Sequence, residues 1–360
     1  MAIMDFSKAF DTVPHNRLLL KLDNYGIRGN LLTWISNFLK YRSQRVVVGG
    51  EHSAWTDVVS GVPQGTVLGP LLFLAYINDL PQNLNSEVRL FADDCVIYHE
   101  IHSEHDHTLL QNDLITLEKW QFDWQMTFNV KKCFIMRITH TRNPKIFAYK
   151  LGNHLLQETT SHPYLGITIS NNLSWSTHIN NITSSANRSL GFIKRNLYSC
   201  SKPTKQTAYF ALVRPLLEYS NSVWDPHQKE LINKIENVQK KAARFTTNTY
   251  DKTTSITQLI KDLNWDTLQN RRTANRLTIL HKARQDQLAL PVKTLLQPSM
   301  RQSRYTHPDS YQIITSTKNC HKYSYFPRTV IDWNRLPHSI IQIQDSSSFK
   351  AAVLDHLRQD

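Results

Sequence analysis

Two adjacent aspartates in an otherwise apolar stretch constrain the fold of this chain more than any other feature. Asp93 and Asp94 stand in LFADDCVIY (90–98), where apolar residues flank them on both sides. The pattern predicts a strand, a tight turn and a second strand. Burial of two carboxylates there costs several kcal/mol unless a cation or hydrogen-bond donors offset it. A divalent cation is the simplest offset, and an ordinary β-turn, which Asp favours, is the alternative.

A third carboxylate, Asp5, ends the apolar run AIMDF (2–6). Oxygen ligands without a neighbouring histidine favour Mg²⁺ or Mn²⁺ over Zn²⁺. A pair of such ions is a common device for in-line attack at phosphorus. The three carboxylates therefore predict metal-assisted phosphoryl chemistry, provided that the fold brings Asp5 to Asp93 and Asp94.

The composition predicts a folded protein without a membrane span. Of the 360 residues, 40% are hydrophobic and 20% charged, as in soluble globular proteins. The longest apolar run, residues 70–77, is far shorter than the roughly 18 residues that a span requires, and Asp5 interrupts any signal peptide. Neither the four cysteines nor the histidines between His15 and His107 show zinc-ligand spacing. We expect an intracellular protein without disulfides or zinc.

The pattern of hydrophobic residues predicts an α+β fold with a small sheet, followed by a mainly helical part. Strands are expected at 2–6, 44–48, 54–60, 88–92, 95–100, 133–139 and 164–169, and helices at 16–25, 30–40, 70–80 and 105–126. Long amphipathic helices are expected at 175–197, 203–219, 227–245 and 265–286. The last 70 residues contain five prolines and predict loops with one helix near 347–358. The expected domains are 1–170, 171–290 and 291–360.

The positive charge is confined to the second half of the chain. Residues 1–180 carry 15 Lys and Arg against 16 Asp and Glu, whereas residues 181–360 carry 27 against 13. A basic half beside a carboxylate-bearing half suits a protein that binds a polyanion with one part and performs metal chemistry on it with the other. A solvated basic surface without a nucleic-acid partner is the alternative.

Three motifs in order resemble palm motifs A, B and C of reverse transcriptases: MDFSKAFDTVPH (4–15), SGVPQGTVLGPLLF (60–73) and LFADDCVIY (90–98). The subtype resembles that of non-LTR (LINE-type), jockey-like retrotransposons. FNVKKC (128–133) is similar to motif D and YLGI (164–167) to the primer grip. LLEYSNSVW (216–224), IENVQKKAAR (235–244), LNWDTLQNRR (263–272) and YFPRTVIDWNRLP (325–337) resemble later parts of such proteins, so the resemblance covers nearly the whole chain.

The resemblance implies a right-hand polymerase: a palm with a small antiparallel sheet at 1–170, a helical thumb and connection-like region at 171–290, and a loop-rich extension at 291–360. It implies an RNA-directed DNA polymerase that uses two Mg²⁺ or Mn²⁺ ions, an RNA template, a DNA primer and deoxynucleoside triphosphates. Such an enzyme acts in the nucleus if it performs target-primed reverse transcription. Fingers and an endonuclease would stand upstream in a complete enzyme, so we expect a truncated chain. A catalytically inactive nucleic-acid-binding remnant is the alternative function.

Individual site residues follow from the same resemblance. Asp5, Asp93 and Asp94, with the main-chain carbonyl of Phe6, are expected to bind the metals, and Lys132 to protonate departing pyrophosphate. The expected nucleotide-binding residues are Phe10, Pro63, Gln64 and Gly65, with Phe10 as a steric gate or, alternatively, a core aromatic. Tyr164, Leu165 and Gly166 are expected to form the primer grip, and Asp11 to be structural. The residues expected to contact nucleic-acid phosphates are Arg188, Lys194, Arg195, Lys240, Lys241, Arg244, Arg271, Arg272 and also Arg276.

Overall fold

The computed structural model describes residues 1–251, 253–299 and 307–359. These residues divide into two compact units. The first unit comprises Met1–Tyr164 and Ser170–Asn172, and the second comprises Leu165–Ile169 and the described residues from Leu173 onward. The functions expected for 1–170, 171–290 and 291–360 stay predictions.

A five-stranded sheet forms the centre of the first unit. Its strands, in spatial order, are Gln157–Glu158, Phe134–Ile135, Ala2–Asp5, Asp94–Tyr98 and Glu87–Phe91. Neighbouring strands are antiparallel except the first pair, which is parallel. Consecutive residues are buried on both central strands, for example Ile3 with Met4 and Val96 with Ile97. Both faces of the sheet centre are therefore covered, which explains why the sequence shows continuous apolar runs there.

Helices accompany this sheet, and the other described strands form four separate two-stranded ribbons. The helices are Ala9–Thr12, His15–Asn24, Gly29–Leu39, Leu68–Ile77 and Glu104–Trp124, with a 3₁₀ turn at Val130–Lys132. The remaining strands are Ser43–Gln44, Val47–Val48, Glu51–His52, Thr56–Asp57, Lys150–Leu151, His154–Leu155, Ser161–Tyr164 and Ile167–Ser170. The strands predicted at 44–48, 54–60 and 133–139 are shorter than expected. The residues of the first two are mostly exposed, so little apolar burial supports a longer ladder.

The second unit is built from helices. They are Ser176–Asn196, Lys202–Leu212, Arg214–Glu218, Asn221–Trp224, Lys229–Thr247, Ile256–Asp262, Leu268–Arg284, Val292–Leu295, Asn319–Lys322, Tyr325–Asn334, His338–Ile341 and Ser346–Gln359. The single helix predicted at 203–219 is two helices, because Pro215 lacks an N–H group and opens the second one. No described helix is both long and apolar enough to cross a membrane.

The last 70 residues contain more helix than the prolines suggested. The terminal helix predicted near 347–358 is confirmed as Ser346–Gln359. The helix Tyr325–Asn334 was expected to be a loop because it contains Pro327. Pro327 stands in the first turn, where a helix needs no donor from that residue, so it is tolerated. Val330 and Trp333 of this helix are fully buried in a core that they share with Leu277. The α+β fold class is confirmed, and the extension is a packed part of the second unit.

Candidate active site

The central strand pair brings two of the predicted carboxylates side by side. The antiparallel register of Ala2–Asp5 with Asp94–Tyr98 pairs Asp5 directly with Asp94. Directly opposed residues project from the same face, with Cβ atoms about 4.5–5.5 Å apart. Two carboxylates that are far apart in the sequence therefore lie at one end of the sheet.

Asp93 lies in the tight turn that the sequence predicted. The register of the hairpin closes with Phe91 opposite Asp94, so Ala92 and Asp93 form a two-residue turn. Ala92 adopts a left-handed φ of 50°, which costs an L-residue about 1–2 kcal/mol. The turn places Asp93 at the same end of the strand pair as Asp5. The hairpin predicted from the two aspartates is confirmed.

The electrostatics of the three carboxylates fit a cation-binding role. Burial, followed by the negative charges of Asp93 and Asp5, raises the pKa of Asp94. Oδ2 of Asp5 is buried and accepts no hydrogen bond. Within the described residues, the three carboxylates do not form a group with all ligand atoms within 4.8 Å of one another. Mutual repulsion opposes a closer approach, and a cation between the carboxylates would offset it.

Lys132 is the cation nearest to Asp5 among the residues that the sequence singled out. Its Nζ lies 3.4 Å from Oδ2 of Asp5, and its side chain is 67% exposed. The 3₁₀ turn Val130–Lys132 is held against the end of the first strand, because the N–H of Asn129 donates to the carbonyl of Asp5 at 2.7 Å. The structure therefore brings Lys132 to the carboxylates, with its ammonium free to reach solvent.

Two phenylalanines fix the backbone that follows Asp5. Phe6 is buried, and its ring stacks on Phe128 with centroids 4.4 Å apart. Phe10 is half-buried and stacks on Phe73, also at 4.4 Å. The packing of Phe10 against the core is compatible with both interpretations of this residue, and its role as a steric gate stays a prediction.

The loop that contains Pro63, Gln64 and Gly65 is tied to the helix after the first strand. The side-chain amide of Gln64 donates to Oδ1 of Asp11 at 2.9 Å, which gives Asp11 the structural role expected for it. Gly65 adopts a φ of +78° with open space around it, so the turn favours glycine at this position. The contacts of this loop with a nucleotide stay predictions.

Gly61 makes the closest approach between this loop and the first helix. Its φ is +86°, and a Cβ atom there would lie 2.7 Å from the carbonyl oxygen of Asp11. Its own carbonyl accepts a hydrogen bond from Nε2 of the buried His15 at 2.8 Å. The loop can approach the helix this closely only because residue 61 lacks a side chain.

Replacing Gly61 with alanine should lower the free energy of unfolding by about 2–4 kcal/mol, because strained backbone and a steric clash add. Gly50→Ala is the matched control, since Gly50 also has a positive φ, +91°, but nothing lies within 4 Å of its Cβ position. Urea unfolding, monitored by circular dichroism, measures the free energy of unfolding of both variants. Equal losses in the two variants would contradict the close approach at Gly61.

Comparison with known protein families identifies the part of the chain that contains Asp5, Asp93 and Asp94. Residues 1–169 match the family described as reverse transcriptase (RNA-dependent DNA polymerase). Residues 1–169 form a reverse transcriptase domain. The five-stranded sheet, with Asp5 and Asp94 at one end, lies within these matched residues, and the metal-binding roles of Asp5, Asp93 and Asp94 stay predictions.

The reverse transcriptase domain resembles those of jockey-like elements. The chain is 30% identical over 257 residues to the RNA-directed DNA polymerase from mobile element jockey of Drosophila melanogaster, covering 68% of this chain and 28% of that protein. It is 27% identical to the probable RNA-directed DNA polymerase from transposon X-element of the same species, with the same coverage. The predicted jockey-like, non-LTR type is confirmed, and the chain spans 28% of the length of these relatives.

A solved telomerase from Candida albicans, in complex with a fragment of telomeric RNA, also matches. It has a TM-score of 0.35 and 11% identity, and it covers 76% of this chain and 46% of that one. This similarity is too low to support any conclusion about the site.

The strand Ser161–Tyr164 adds a residue that the sequence did not single out. Burial lowers the pKa of His162, and the charges of Asp94 and Asp5 oppose that shift. Burial, and then Asp94, raises the pKa of Tyr164. His162 and Tyr164 are two positions apart on one strand, so they project from the same face. That spacing was visible in the sequence. Leu165 and Gly166 belong to the second unit, and their role in a primer grip stays a prediction.

Six of the predicted phosphate-binding residues lie on two packed helices of the second unit. Arg188, Arg195 and Lys241 are exposed, and Lys194, Lys240 and Arg244 are partly exposed. These two helices are Ser176–Asn196 and Lys229–Thr247, which contact each other. Nζ of Lys241 donates to Asn187 at 3.3 Å, next to Arg188. Burial, and then the charge of Lys241, lowers the pKa of Lys194, as expected where cations are crowded.

The prediction of phosphate contacts for Arg272 and Arg276 is wrong. Their exposed fractions are 0% and 1%, because both guanidinium groups form ion pairs with the buried carboxylate of Asp225. Arg271 is also occupied, since its guanidinium donates to both carboxylate oxygens of Glu218. These arginines stabilise the second unit from within, so they are removed from the candidate nucleic-acid surface.

Proposed function

We propose that the reverse transcriptase domain extends a DNA primer on an RNA template by transferring deoxynucleotides from their triphosphates. The observation that supports this most strongly is the register that pairs Asp5 with Asp94, with Asp93 in the adjoining turn. Nucleotidyl transfer needs carboxylates at one point to hold divalent cations, and this hairpin supplies them. If the chain acts in target-primed reverse transcription, its place of action is the nucleus.

The residues present fit two Mg²⁺ or Mn²⁺ ions. The donors are carboxylate oxygens, which these hard cations prefer, and Oδ2 of Asp5 is buried without a hydrogen bond. Asp5, Asp93, Asp94 and the main-chain carbonyl of Phe6 would hold the ions, which would activate the primer 3′-hydroxyl and neutralise the leaving pyrophosphate. The mutual repulsion that raises the pKa of Asp94 would be relieved by bound cations.

Other residues of the domain would position the substrates. The ring of Phe10, fixed against Phe73, would lie under the sugar and leave no space for a 2′-hydroxyl. Gln64 is exposed, and one N–H of its amide donates to Asp11, so it would offer its second N–H or its carbonyl oxygen to the sugar or the template. Tyr164 would contact the primer end near Asp94. Each of these side chains acts by orientation, which lowers the barrier by holding the reacting groups in line.

A primer-extension assay tests this function. The chain is incubated with an RNA template, a labelled DNA primer, the four deoxynucleoside triphosphates and Mg²⁺ or Mn²⁺. We expect template-directed extension that stops when the divalent ions are chelated. Absence of extension with either ion, from a chain that binds the same template–primer, would reject the proposal.

Lys132→Ala should lower the rate of extension by about 100-fold, at the lower end of the range for loss of a general acid. Lys132 lies 3.4 Å from Asp5 and would donate a proton to the departing pyrophosphate. Lys131→Ala is the matched control, because Lys131 is an exposed neighbour on the same 3₁₀ turn. Single-turnover kinetics separates the chemical step from binding. A similar rate for both variants would exclude this role.

Nucleic-acid binding without catalysis is the second candidate function, and the charge of the second half favours it. Residues 181–360 carry 27 Lys and Arg against 13 Asp and Glu. The six basic residues on Ser176–Asn196 and Lys229–Thr247 would contact phosphates along a duplex without reading its sequence. Binding with no extension under any condition would favour this alternative.

Arg188→Gln, Arg195→Gln and Lys241→Gln combined should weaken binding of a template–primer duplex and reduce the slope of log affinity against log salt by about 1 per lost contact. Lys293→Gln is the control, because Lys293 lies on a different helix, Val292–Leu295. Its Nζ is 2.9 Å from Oδ2 of Asp286, so its charge is already paired. Fluorescence anisotropy at several salt concentrations measures the slope. An unchanged slope in the triple variant would remove these residues from the binding surface.

A further inference from the structure

Three potential metal ligands meet in the second unit. His307, Asp309 and His338 each offer one ligand atom, and these atoms all lie within 4.8 Å of one another. His307 and Asp309 stand in an irregular segment, whereas His338 begins the helix His338–Ile341. The group is remote from the catalytic aspartates in sequence and contains two imidazoles in place of carboxylates alone, so it offers a different coordination chemistry.

The hydrogen bonds of His307 leave one ring nitrogen available. His307 is 7% exposed, and its Nε2 donates to the carbonyl of Trp333 at 3.1 Å. In a neutral imidazole the other nitrogen, Nδ1, then carries a lone pair. This Nδ1 is buried and has no hydrogen-bond partner. A buried lone pair without a donor is costly, and a backbone carbonyl on the opposite ring nitrogen is the usual support of a metal-binding histidine.

His338 and Asp309 complete the group. Nδ1 of His338 is likewise buried without a hydrogen bond, and it lies 3.7 Å from Oδ2 of Asp309, beyond hydrogen-bond distance. Nε2 of His338 accepts from the side-chain amide nitrogen of Gln342 at 3.0 Å, so the proton of a neutral ring is on Nδ1. A turn of the Gln342 amide by about 180° would present its oxygen to Nε2–H and leave the lone pair on Nδ1 for a metal ion. Oδ1 of Asp309 accepts a hydrogen bond from Nη2 of Arg284 at 2.7 Å, so the carboxylate is oriented with Oδ2 toward the histidines. His307 and Asp309 are thus each oriented by a hydrogen bond on the side opposite the proposed ligand atom.

We propose that His307, Asp309 and His338 bind a divalent transition-metal ion of the Zn²⁺ class. The ligands would be Nδ1 of both histidines and Oδ2 of Asp309, with water in the fourth position. Two imidazoles select Zn²⁺ over Mg²⁺, which prefers oxygen ligands. The ion would connect the segment at 307–309 to the helix at His338 and so stabilise the fold of the second unit.

Metal binding by the full-length chain tests this proposal without reference to polymerase activity. The protein is stripped of metals, supplied with excess Mg²⁺ to occupy carboxylate sites, and titrated with ZnCl₂ by calorimetry and with CoCl₂ by visible absorption. We expect one high-affinity ion per chain and the absorption bands of tetrahedral Co²⁺. Absence of a high-affinity site, or purely octahedral Co²⁺ spectra, would overturn the proposal.

Substitutions locate the ion. His338→Gln and His307→Ala should each weaken Zn²⁺ binding by more than about 100-fold, since even supporting residues contribute about 10–100-fold. His321→Gln is the control, because His321 is exposed on the helix Asn319–Lys322 and does not belong to the proposed site. The affinity of this variant for Zn²⁺ should equal that of the unsubstituted chain. Unchanged affinity in the first two variants would overturn the assignment.

A thermal readout covers the case in which His307→Ala fails to fold. His338 is partly exposed, so we expect His338→Gln to keep its circular dichroism spectrum. Zn²⁺ at 100 times its dissociation constant favours the folded state by about 100-fold, so it should raise the Tm of the unsubstituted chain and of His321→Gln. The same Zn²⁺ concentration should leave the Tm of His338→Gln unchanged, and an equal rise in this variant would contradict the proposal.

Discussion

Asp94→Asn should reduce primer extension by about 1000-fold or more, the largest effect that we expect from a single substitution. The loss corresponds to about 4 kcal/mol of transition-state stabilisation, because Asp94 is proposed to hold two cations and a neutral amide would hold them much more weakly. Asp94 lies between the other two carboxylates, because it pairs with Asp5 across the sheet and begins the strand directly after Asp93. Asn keeps the size of the side chain, so the hairpin should remain folded.

Glu87→Gln provides the control for that experiment. Glu87 lies on the strand Glu87–Phe91, at the end away from the turn, where it is paired opposite Tyr98. Its carboxylate is exposed and contacts Arg89, so its loss should change extension less than two-fold. Single-turnover rates at saturating Mg²⁺ compare the two variants. Extension by Asp94→Asn at the rate of Glu87→Gln would exclude Asp94 from catalysis.

Asp225→Asn should destabilise the second unit by about 3–5 kcal/mol, the usual result of removing one partner from a buried ion pair. Asp225 is 6% exposed and accepts hydrogen bonds from Nε of Arg272 at 2.8 Å and from Nε of Arg276 at 3.0 Å. Arg328 adds a third contact at 3.2 Å. Of the three arginines, Arg276 would keep an ion pair with Asp332, whereas the contacts of Arg272 and Arg328 with a charged residue 225 would be lost.

The stability of Asp225→Asn is measured by urea unfolding and by thermal scans of far-ultraviolet circular dichroism, with a fall in Tm on the order of 10 °C expected. Asp286→Asn is the control, because its partner Lys293 is exposed and such pairs contribute about 0–1 kcal/mol. If Asp225→Asn and Asp286→Asn both have the same Tm and the same urea midpoint as the unsubstituted chain, the network around Asp225 does not stabilise the unit.

The hairpin that contains Asp93 and Asp94 was predictable because its signal is local. The adjacent aspartates between two apolar runs specify a turn at Asp93, and the apolar run before Asp5 specifies a central strand. Their pairing in space, Asp5 opposite Asp94, depends on register and could be inferred only through resemblance to a family. His162 was missed because the resemblance singled out Tyr164, Leu165 and Gly166 and not the residue two positions before them.

The buried arginines were misinterpreted because helical spacing does not say which face is covered. Arg272 and Arg276 lie four residues apart, as phosphate-binding residues on a helix would. The same spacing continues to Leu268 and Leu280, which are 1% exposed, so the whole stripe faces inward. The two leucines at the same spacing could have indicated that this face of the helix is buried. The counter-ion, Asp225, is distant in sequence, and its contribution could not be inferred from spacing alone.

The core shared by Leu268–Arg284 and the C-terminal helices bears on how such a sequence tolerates nonsense mutations. Leu277 and Leu280 pack with Trp333 and Phe349, although no candidate catalytic residue lies beyond Gly166. A stop codon near residue 290 would spare the predicted metal ligands Asp5, Asp93 and Asp94 and yet leave these leucines facing water. Selection that keeps the second unit folded would therefore extend to C-terminal residues for which no catalytic role is predicted.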